Sequence, residues 1–127
     1  MQITVLADDF TGALDTGIQL AQKGMRTAVC SLPERPFWEE PCAVLVIDTQ
    51  TRPLPPDDAH RMISSLARRA REAGSQFLYK KTDSTLRGNI GSELCGALEG
   101  FGEKRLAFVP AYPKLGRTTR GMIHGVD

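Results

Sequence analysis

Two adjacent carboxylates, Asp8 and Asp9, follow directly after the apolar run at residues 3–7, and Thr11 comes two positions later. A carboxylate beside a hydroxyl group can orient that group and accept its proton, which is the role of a general base. Asp8 and Asp9 are therefore our catalytic candidates, with the choice between them open, and Thr11 is a binding candidate. The alternative is that Asp9 or Thr11 only caps a helix.

A second polar cluster occupies residues 80–89, with the sequence KKTDSTLRGN. Lys81 and Arg87 can pair with a carboxylate or a phosphate, and arginine can do so through two parallel hydrogen bonds. Asp83 and Ser84 offer donors and acceptors that suit hydroxyl groups. Together these residue types match a small polyhydroxy acid. The alternative is a turn that an internal ion pair closes.

Gly88 and Asn89 complete this cluster as binding candidates. Gly88 would let the backbone come close to a ligand, because glycine has no Cβ. Asn89 can cap the following helix, whose first N–H groups would then favour an anion. Further binding candidates are Asp48, at the end of an apolar strand, and Arg117 with Thr118, in the polar segment after the last strand.

The elements that must position these residues alternate along the chain. Short apolar runs predict five strands, at residues 3–7, 27–30, 43–47, 76–79 and 106–109. Apolar positions at steps of three and four predict three helices, at residues 10–23, 59–73 and 90–101, and a glycine follows each of them. Prolines break the link between the second and third strands, which predicts a loop or a single turn there. The residues after 109 predict an irregular tail.

This alternation predicts an α/β domain, a three-layer sandwich with a five-stranded, mainly parallel sheet of Rossmann-like type. In such a sheet, ligands bind beyond the carboxyl ends of the strands. The aspartate pair, Asp48 and the 80–89 cluster all follow strand ends, so we expect them to converge at one edge of the sheet. That convergence, more than any single residue, predicts a binding site.

Composition excludes several functional classes. The chain has 127 residues, 41% of them hydrophobic, and a formal net charge of +1, which predicts one folded domain without a global attraction to nucleic acid or an anionic membrane. No apolar run approaches the roughly 18–20 residues that span a bilayer, so we expect a cytoplasmic protein. The three cysteines and two histidines lack metal-ligand spacing, so no metal site is predicted.

The phosphate-binding motifs GxxxxGK[ST] and GxGxxG are absent from the sequence. Both motifs use the backbone N–H groups of a glycine-rich loop to hold the phosphates of a nucleotide. We therefore expect that any ATP used with this chain is bound elsewhere, and that this chain alone binds no cofactor.

Four motifs resemble the signature blocks of the four-carbon acid sugar kinase family. They are LADDFTGALDTG at residues 6–17, DTQTR at 48–52, KKTDSTLRGNIG at 80–91 and PAYPKLGRTT at 110–119. The third block is very specific, all four come in the family's order, and they cover nearly the whole chain. The sequence is therefore similar to the N-terminal, sugar-binding domain of that family.

This resemblance implies an ATP- and Mg²⁺-dependent kinase that phosphorylates the terminal hydroxyl of threonate, erythronate or a 3-oxo-tetronate. It implies that residues 1–127 form the sugar-acid-binding domain. The nucleotide-binding domain would then be a separate partner, in cis or in trans, without which the chain is inactive.

The resemblance also implies roles for individual residues. Arg87 should meet the carboxylate of the acid, with Lys81 as a second candidate. Asp83 and Ser84 should contact its hydroxyls, and one of the two adjacent aspartates should lie near the reacting hydroxyl.

Two other functions remain open from the residues alone. A phosphoacceptor receiver domain also has an acidic pair after its first strand, an aspartate after the third, here Asp48, and a hydroxyl after the fourth, here Thr82. That pattern fails at the fifth strand, where Lys-Pro is expected and Val109-Pro110 stands. A non-catalytic sugar-acid-binding module would keep the same polar cluster, so sequence does not separate it from part of a kinase.

Overall fold

The computed structural model describes residues 1–31, 38 and 41–127. Its elements, in chain order, are β1 (Ile3–Ala7), α1 (Phe10–Gln22), β2 (Thr27–Cys30), β3 (Val44–Asp48), α2 (Pro56–Glu72), β4 (Phe77–Lys81), α3 (Ile90–Phe101), a short 3-10 helix (Pro113–Leu115), β5 (Arg117–Arg120) and β6 (Ile123–Val126). The link between β2 and β3, predicted as a loop or a single turn, lies mostly outside the described residues. No helix within those residues is long and apolar enough to cross a membrane.

The first four strands form one parallel sheet with the order β2-β3-β1-β4. β1 lies between β3 and β4, with Ala7 paired to Asp48 on one side and to Lys81 on the other. These three residues therefore stand at the same edge of the sheet, and the chain continues from each of them into polar residues. The register thus brings three of the predicted polar segments together.

Helices cover both faces of this sheet. On one face, Leu6 and Leu45 share a buried cluster with Ile63 of α2, and α3 contributes to the same cluster. On the other face, Val5 shares a buried cluster with Ala13 of α1. Strands that are buried on both faces need apolar side chains at successive positions rather than at alternate ones. This requirement explains the nearly continuous apolar runs of β1 and β3.

The predicted fifth strand, at residues 106–109, is not part of the sheet, which has four strands within the described residues. Val109 is 79% exposed, and no backbone hydrogen bond joins this segment to another described residue. This apolar run lacks full cover among the described residues, since Leu106 and Phe108 are also 40% and 42% exposed. An apolar run without that cover is therefore not sufficient to place a strand.

The tail, predicted to be irregular, forms an antiparallel hairpin of β5 and β6. Gly121 and Met122 make its turn, with φ values of 54° and 65°. Two positive φ values in a two-residue loop are typical of a type I′ turn, whose twist matches that of a hairpin. The fold is therefore mixed α/β, with a parallel sheet of four strands and a small antiparallel pair.

Candidate functional site

Arg52, in the loop after β3, bridges the two adjacent carboxylates that follow β1. Its Nε donates to Oδ2 of Asp8 at 2.9 Å, and its Nη1 lies 2.9 Å from Oδ2 of Asp9. The hydrogen bond to Asp8 is the main cause that raises the pKa of Arg52. Only 22% of the Arg52 side chain and 2% of the Asp8 side chain are exposed, so water and salt screen this ion pair weakly.

The two carboxylates differ in their remaining capacity to accept hydrogen bonds. Asp9 is the N-cap of α1: its Oδ1 accepts from the backbone N–H of Gly12 at 2.8 Å, while its Oδ2 faces Arg52. Oδ2 of Asp8 accepts from Arg52, and Oδ1 of Asp8 is buried without a hydrogen-bond partner in the described part of the chain. A buried acceptor without a partner costs free energy. Asp8 Oδ1 is therefore the acceptor at this edge that most needs a donor.

Residues 82–88, here called the Asp83 turn, are closed by an ion pair. Oδ2 of Asp83 accepts from Nε of Arg87 at 2.5 Å and from Oγ1 of Thr85 at 2.6 Å, and Oδ1 accepts from Nη2 of Arg87 at 3.2 Å. The hydrogen bonds from Arg87 are the main cause that holds the pKa of Asp83 well below its usual range. The internal ion pair considered from the sequence is therefore present. The Arg87 side chain is nevertheless 69% exposed, so an anion from solvent can reach it.

Gly88 and Asn89 join this turn to the loop that carries Arg52. Gly88 has a φ of +88°, and a Cβ there would lie 2.9 Å from Cγ of Arg52. The absence of a Cβ at Gly88 therefore makes room for the Arg52 side chain, whereas the sequence analysis predicts that it makes room for a ligand. Asn89 is the N-cap residue of α3, as predicted, but its side chain makes no capping hydrogen bond. Its Nδ2 donates instead to the carbonyl oxygens of Thr51, at 3.0 Å, and Leu54, at 2.8 Å, which lie within its reach in the loop after β3.

The two lysines at the end of β4 point to opposite faces of the sheet. Nζ of Lys81 donates to the carbonyl oxygen of Thr82 at 2.6 Å and lies over Gly12, where a Cβ would be 3.4 Å away. Lys80 is buried, and its Nζ lies 2.6 Å from Oε2 of the buried Glu93 on α3. Burial lowers the pKa of Lys80, and the attraction of Glu93 opposes that shift. Lys80 therefore ties β4 to α3, while Lys81 lies on the side of the aspartate pair.

The β5–β6 hairpin contacts the Asp83 turn through His124. Nε2 of its ring lies 2.8 Å from the carbonyl oxygen of Ser84, which can only accept, so Nε2 carries a proton. Nδ1 of the same ring lies 2.9 Å from Oγ1 of Thr119. Arg117 lies on the same hairpin face as Thr119, two positions away, and its Nε is buried without a partner in the described part of the chain. Thr118 lies on the opposite face.

A family model described as a sugar-binding N-terminal domain matches residues 3–127. The chain belongs to this family. A D-threonate kinase of Salmonella typhimurium is 40% identical to it over 99% of this chain, and a D-erythronate kinase of Heliobacterium modesticaldum is 37% identical over 98%. The chain spans 30% of the length of each of these relatives.

A solved structure is similar to this sugar-binding domain over nearly the whole length of the present chain. It is a domain of unknown function from Bordetella bronchiseptica, crystallised with bound citrate as a domain-swapped dimer. Its TM-score is 0.91 at 38% identity, and the match covers 99% of this chain and 33% of that chain. At this similarity the two proteins share the fold described above.

The charged residues of the sugar-binding domain converge at the carboxyl edge of its sheet. Six of them make up what we call the charged site: Asp8, Asp9, Arg52, Lys81, Asp83 and Arg87. Three carboxylates balance three cations, so an anionic ligand meets no net repulsion there. The described residues contain no group of three His, Cys, Asp or Glu side chains that could hold a metal ion.

Other predicted binding residues lie at the margins of this charged site. Asp48 is fully buried, and its carboxylate accepts from the backbone N–H of Gln50 at 3.3 Å and from Nε2 of Gln50 at 3.2 Å. A fully buried carboxylate is poorly placed to take a phosphoryl group, which argues against the receiver alternative. Thr11 is exposed on the first turn of α1, and Ser84 contributes its carbonyl oxygen to the contact with His124.

Sequence reasoning missed three residues that organise the site: Arg52, Glu93 and His124. Arg52 stands four residues after the aspartate that ends β3, inside the DTQTR motif, and that position is the signal that could have found it. Glu93 lies in the first turn of α3 among residues predicted to face inward, and a charged residue there signals a buried partner. The hairpin contact of His124 has no signal in the local sequence.

Proposed function

We propose that this chain is the sugar-acid-binding part of an ATP-dependent kinase that phosphorylates the terminal hydroxyl of a four-carbon sugar acid. The names of the two kinase relatives support both the reaction and the class of acid. Threonate, erythronate and 3-oxo-tetronate are the candidate substrates.

One observation carries the proposal: among the described residues, Asp8 Oδ1 is buried without a partner at the edge of a cluster that contains three cations. A hydroxyl group of the ligand supplies the donor that this oxygen lacks, and a carboxylate of the same ligand pairs with a cation. A sugar acid has both groups, whereas a neutral sugar lacks the carboxylate and a simple carboxylic acid lacks the hydroxyl.

The most exposed cation of the charged site, Arg87, binds the carboxylate of the acid, with Lys81 as the second candidate. In this proposal Asp83 and Ser84 contact the hydroxyls of the acid, and Arg117, whose Nε has no partner in the described part of the chain, is a further binding residue. Citrate, the ligand bound to the Bordetella relative, is itself a hydroxy acid, which supports this class of ligand.

In the proposed reaction, the terminal hydroxyl oxygen forms a bond to the transferred phosphorus, and the bond from that phosphorus to the leaving oxygen of ADP breaks. The hydroxyl proton goes to Oδ1 of Asp8, which acts as the general base. Asp8 is preferred to Asp9 because both oxygens of Asp9 already have partners.

The nucleotide would be bound by a separate domain or chain, in cis or in trans, since this sequence has no phosphate-binding loop. Mg²⁺ would arrive with that nucleotide and neutralise charge on the phosphates, because the described residues offer no cluster of three ligands for it. We therefore expect this chain alone to bind the acid without turnover, and the complete kinase to work in the cytoplasm.

Calorimetric titration of the chain with D-threonate, L-threonate, D-erythronate and a 3-oxo-tetronate tests the proposal. Saturable binding of at least one acid is expected, and Arg87→Ala should abolish it. The matched control is Arg61→Ala, because Arg61 is 72% exposed and also pairs with a nearby aspartate, Asp58, but lies on α2. Arg61→Ala should leave binding unchanged.

Unchanged affinity in Arg87→Ala would contradict the assigned site, and no binding of any acid by the native chain would contradict the proposed function. A non-catalytic binding module is distinguished by adding a separately expressed nucleotide-binding domain with ATP and Mg²⁺. Restored phosphorylation of the acid supports the kinase, and continued inactivity supports the module.

A further inference from the structure

Arg52 connects three separate parts of the charged site. Its guanidinium holds Asp8 and Asp9, each at 2.9 Å, after β1. Its backbone N–H donates to the carbonyl oxygen of Asp8 at 3.3 Å. The aliphatic part of the Arg52 side chain packs against Gly88 of the Asp83 turn. The side chain of Asn89 donates to the carbonyl oxygen of Thr51, the residue before Arg52. The position of Arg52 is therefore set by the fold, without any ligand.

These contacts leave one carboxylate oxygen of the aspartate pair available. Asp9 accepts from Gly12 through Oδ1 and forms an ion pair with Arg52 through Oδ2, and Asp8 accepts from Arg52 through Oδ2. A rotation of the Asp8 side chain would break its 2.9 Å bond to Nε of Arg52. A planar guanidinium can hold two carboxylates in a fixed geometry, whereas a lysine ammonium is a point charge on a flexible stem.

Exposure separates Arg52 from the arginine that we assign to the carboxylate of the acid. The Arg52 side chain is 22% exposed and uses Nε and Nη1 on two carboxylates, whereas the Arg87 side chain is 69% exposed. An anion in solvent therefore reaches Arg87 far more easily than Arg52.

We propose that Arg52 is a positioning residue for hydroxyl recognition: it orients Asp8 so that Oδ1 receives the reacting hydroxyl of the sugar acid, and it does not bind the carboxylate of the acid. This inference rests on the proposed function. It predicts that loss of Arg52 weakens binding of acids that carry the terminal hydroxyl and spares the analogue that lacks it.

The test compares D-threonate with its 4-deoxy analogue in titrations of the native chain and of Arg52→Lys. A hydrogen bond to a charged group corresponds to a preference of about 10- to 100-fold for the hydroxylated acid in the native chain. Arg52→Lys should reduce this preference to about twofold while affinity for the deoxy analogue changes little, because lysine keeps the charge but not the geometry. Arg61→Lys should keep the native preference.

A second measurement needs no ligand. In the free chain at neutral pH, the carbon-13 carboxyl resonances of Asp8 and Asp9 should move in Arg52→Lys and Arg52→Gln, and stay in place in Arg61→Lys. If the Arg52 variants fail to fold, Asp8→Asn provides the titration test, because it should remove the same preference while Arg52 is kept.

If Arg52→Lys weakens the binding of D-threonate and of its 4-deoxy analogue equally, the inference is overturned. Such a result would mean that Arg52 binds the carboxylate or supports only the fold. Unmoved carboxyl resonances in the Arg52 variants would overturn it as well. If the resonances move but the native chain binds no acid, the proposed function fails while the orientation of Asp8 by Arg52 stands.

Discussion

Most carboxylates at the strand ends hold the backbone as well as forming the site. Asp48 accepts from the backbone N–H of Gln50, which has a φ of +49°, and Asp83 closes the turn in which Leu86 has a φ of +59°. Positive φ values are unfavourable for residues other than glycine, so these turns need such contacts. Asp8 differs, because one of its oxygens bonds to nothing in the described part of the chain. This difference is why we assign the proton transfer to Asp8.

Asp83→Asn should lower stability at neutral pH and have a smaller effect in strong acid. The pKa of Asp83 is depressed in the folded chain by Arg87, so the ionised form stabilises the fold. That stabilisation is fully present above the unfolded-state pKa of about 4 and is lost as the pH falls towards the folded-state pKa. The midpoint of thermal unfolding should therefore drop by a few degrees at pH 7 in the variant, and the difference between the native and variant midpoints should begin to narrow below about pH 4.

Asp58→Asn is the control for this prediction, because Asp58 pairs with an exposed arginine but 47% of its side chain is exposed. Exposed ion pairs contribute little to stability, so this variant should follow the native chain at every pH. If the difference between the unfolding midpoints of the native chain and Asp83→Asn stays constant with pH, the assigned role of the ionised carboxylate is contradicted.

α3 buries a different face from the one that apolar spacing predicts, whereas α2 buries the predicted one. Apolar spacing predicts that Ile90, Leu94, Ala97, Leu98 and Phe101 face inward. The buried residues of α3 are Glu93, Gly96, Ala97 and Gly100, of which only Ala97 is among the predicted positions. Gly96 and Gly100 let the backbone of α3 approach that of α2, since Cβ atoms there would lie 2.6 Å from the carbonyl oxygen of His60 and 2.1 Å from that of Ser64. Glu93 then enters the interior with Lys80 as its partner. Close helix packing therefore decides the rotation of α3.

Gly100→Ala should destabilise the chain by about 1–3 kcal/mol, the range typical of overpacked interiors. The added Cβ meets the backbone of Ser64, which moves only with α2. Gly91→Ala is the matched control on the same helix, because a Cβ at Gly91 meets no atom of the described residues within 4 Å. It should stabilise the helix by up to about 1 kcal/mol.

Unfolding in urea, followed by circular dichroism, measures both glycine variants. Equal midpoints for Gly100→Ala and Gly91→Ala would show that α2 and α3 do not pack as closely as described.

The molecule exposes apolar surface outside its two buried clusters. On α1, Phe10, Leu14 and Ile18 are 50%, 37% and 52% exposed, although their spacing predicts an inward face. α1 instead turns Gly12, Ala13 and Gly17 towards the sheet, because small residues let it lie close to the strands. A shallow groove remains between α1 and β2, lined by Leu14, Gly17, Ile18, Ala21, Thr27 and Val29. Contiguous apolar surface of this kind favours association.

We expect the chain to associate weakly at high concentration, and Ile18→Glu should reduce that association. A charge at Ile18 disrupts the apolar groove without entering the core, because the residue is half exposed. Leu115→Glu is the control, since Leu115 is 53% exposed but lies on the 3-10 helix, away from the groove. Light scattering over a concentration series measures the average mass.

The native chain and Leu115→Glu should show a mass that rises with concentration, and Ile18→Glu a smaller rise. A native chain that stays monomeric at every concentration would contradict the prediction, as would identical curves for the two variants.

Local sequence patterns were sufficient for the parallel α/β arrangement and for where most elements begin and end. β2 has its predicted bounds, Thr27–Cys30, and α3 ends at Phe101 before Gly102, whose φ is 77°. They were also sufficient for the meeting of polar segments at one sheet edge, because parallel strands that end in polar residues must present them on the same side. Periodicity, glycine and apolar runs act within a few residues, so they can be recognised without the rest of the chain.

Only the tertiary structure decided which groups pair and which stay free. Arg52 and Asp8 are 44 positions apart, and their contact leaves the other oxygen of Asp8 without a partner among residues 1–31, 38 and 41–127. The tertiary structure also decided that Lys80 pairs with Glu93 and that residues 106–109 do not join the sheet. Each of these outcomes depends on which surfaces approach closely enough to exclude water. That approach is set by packing between distant elements, which local sequence patterns do not report.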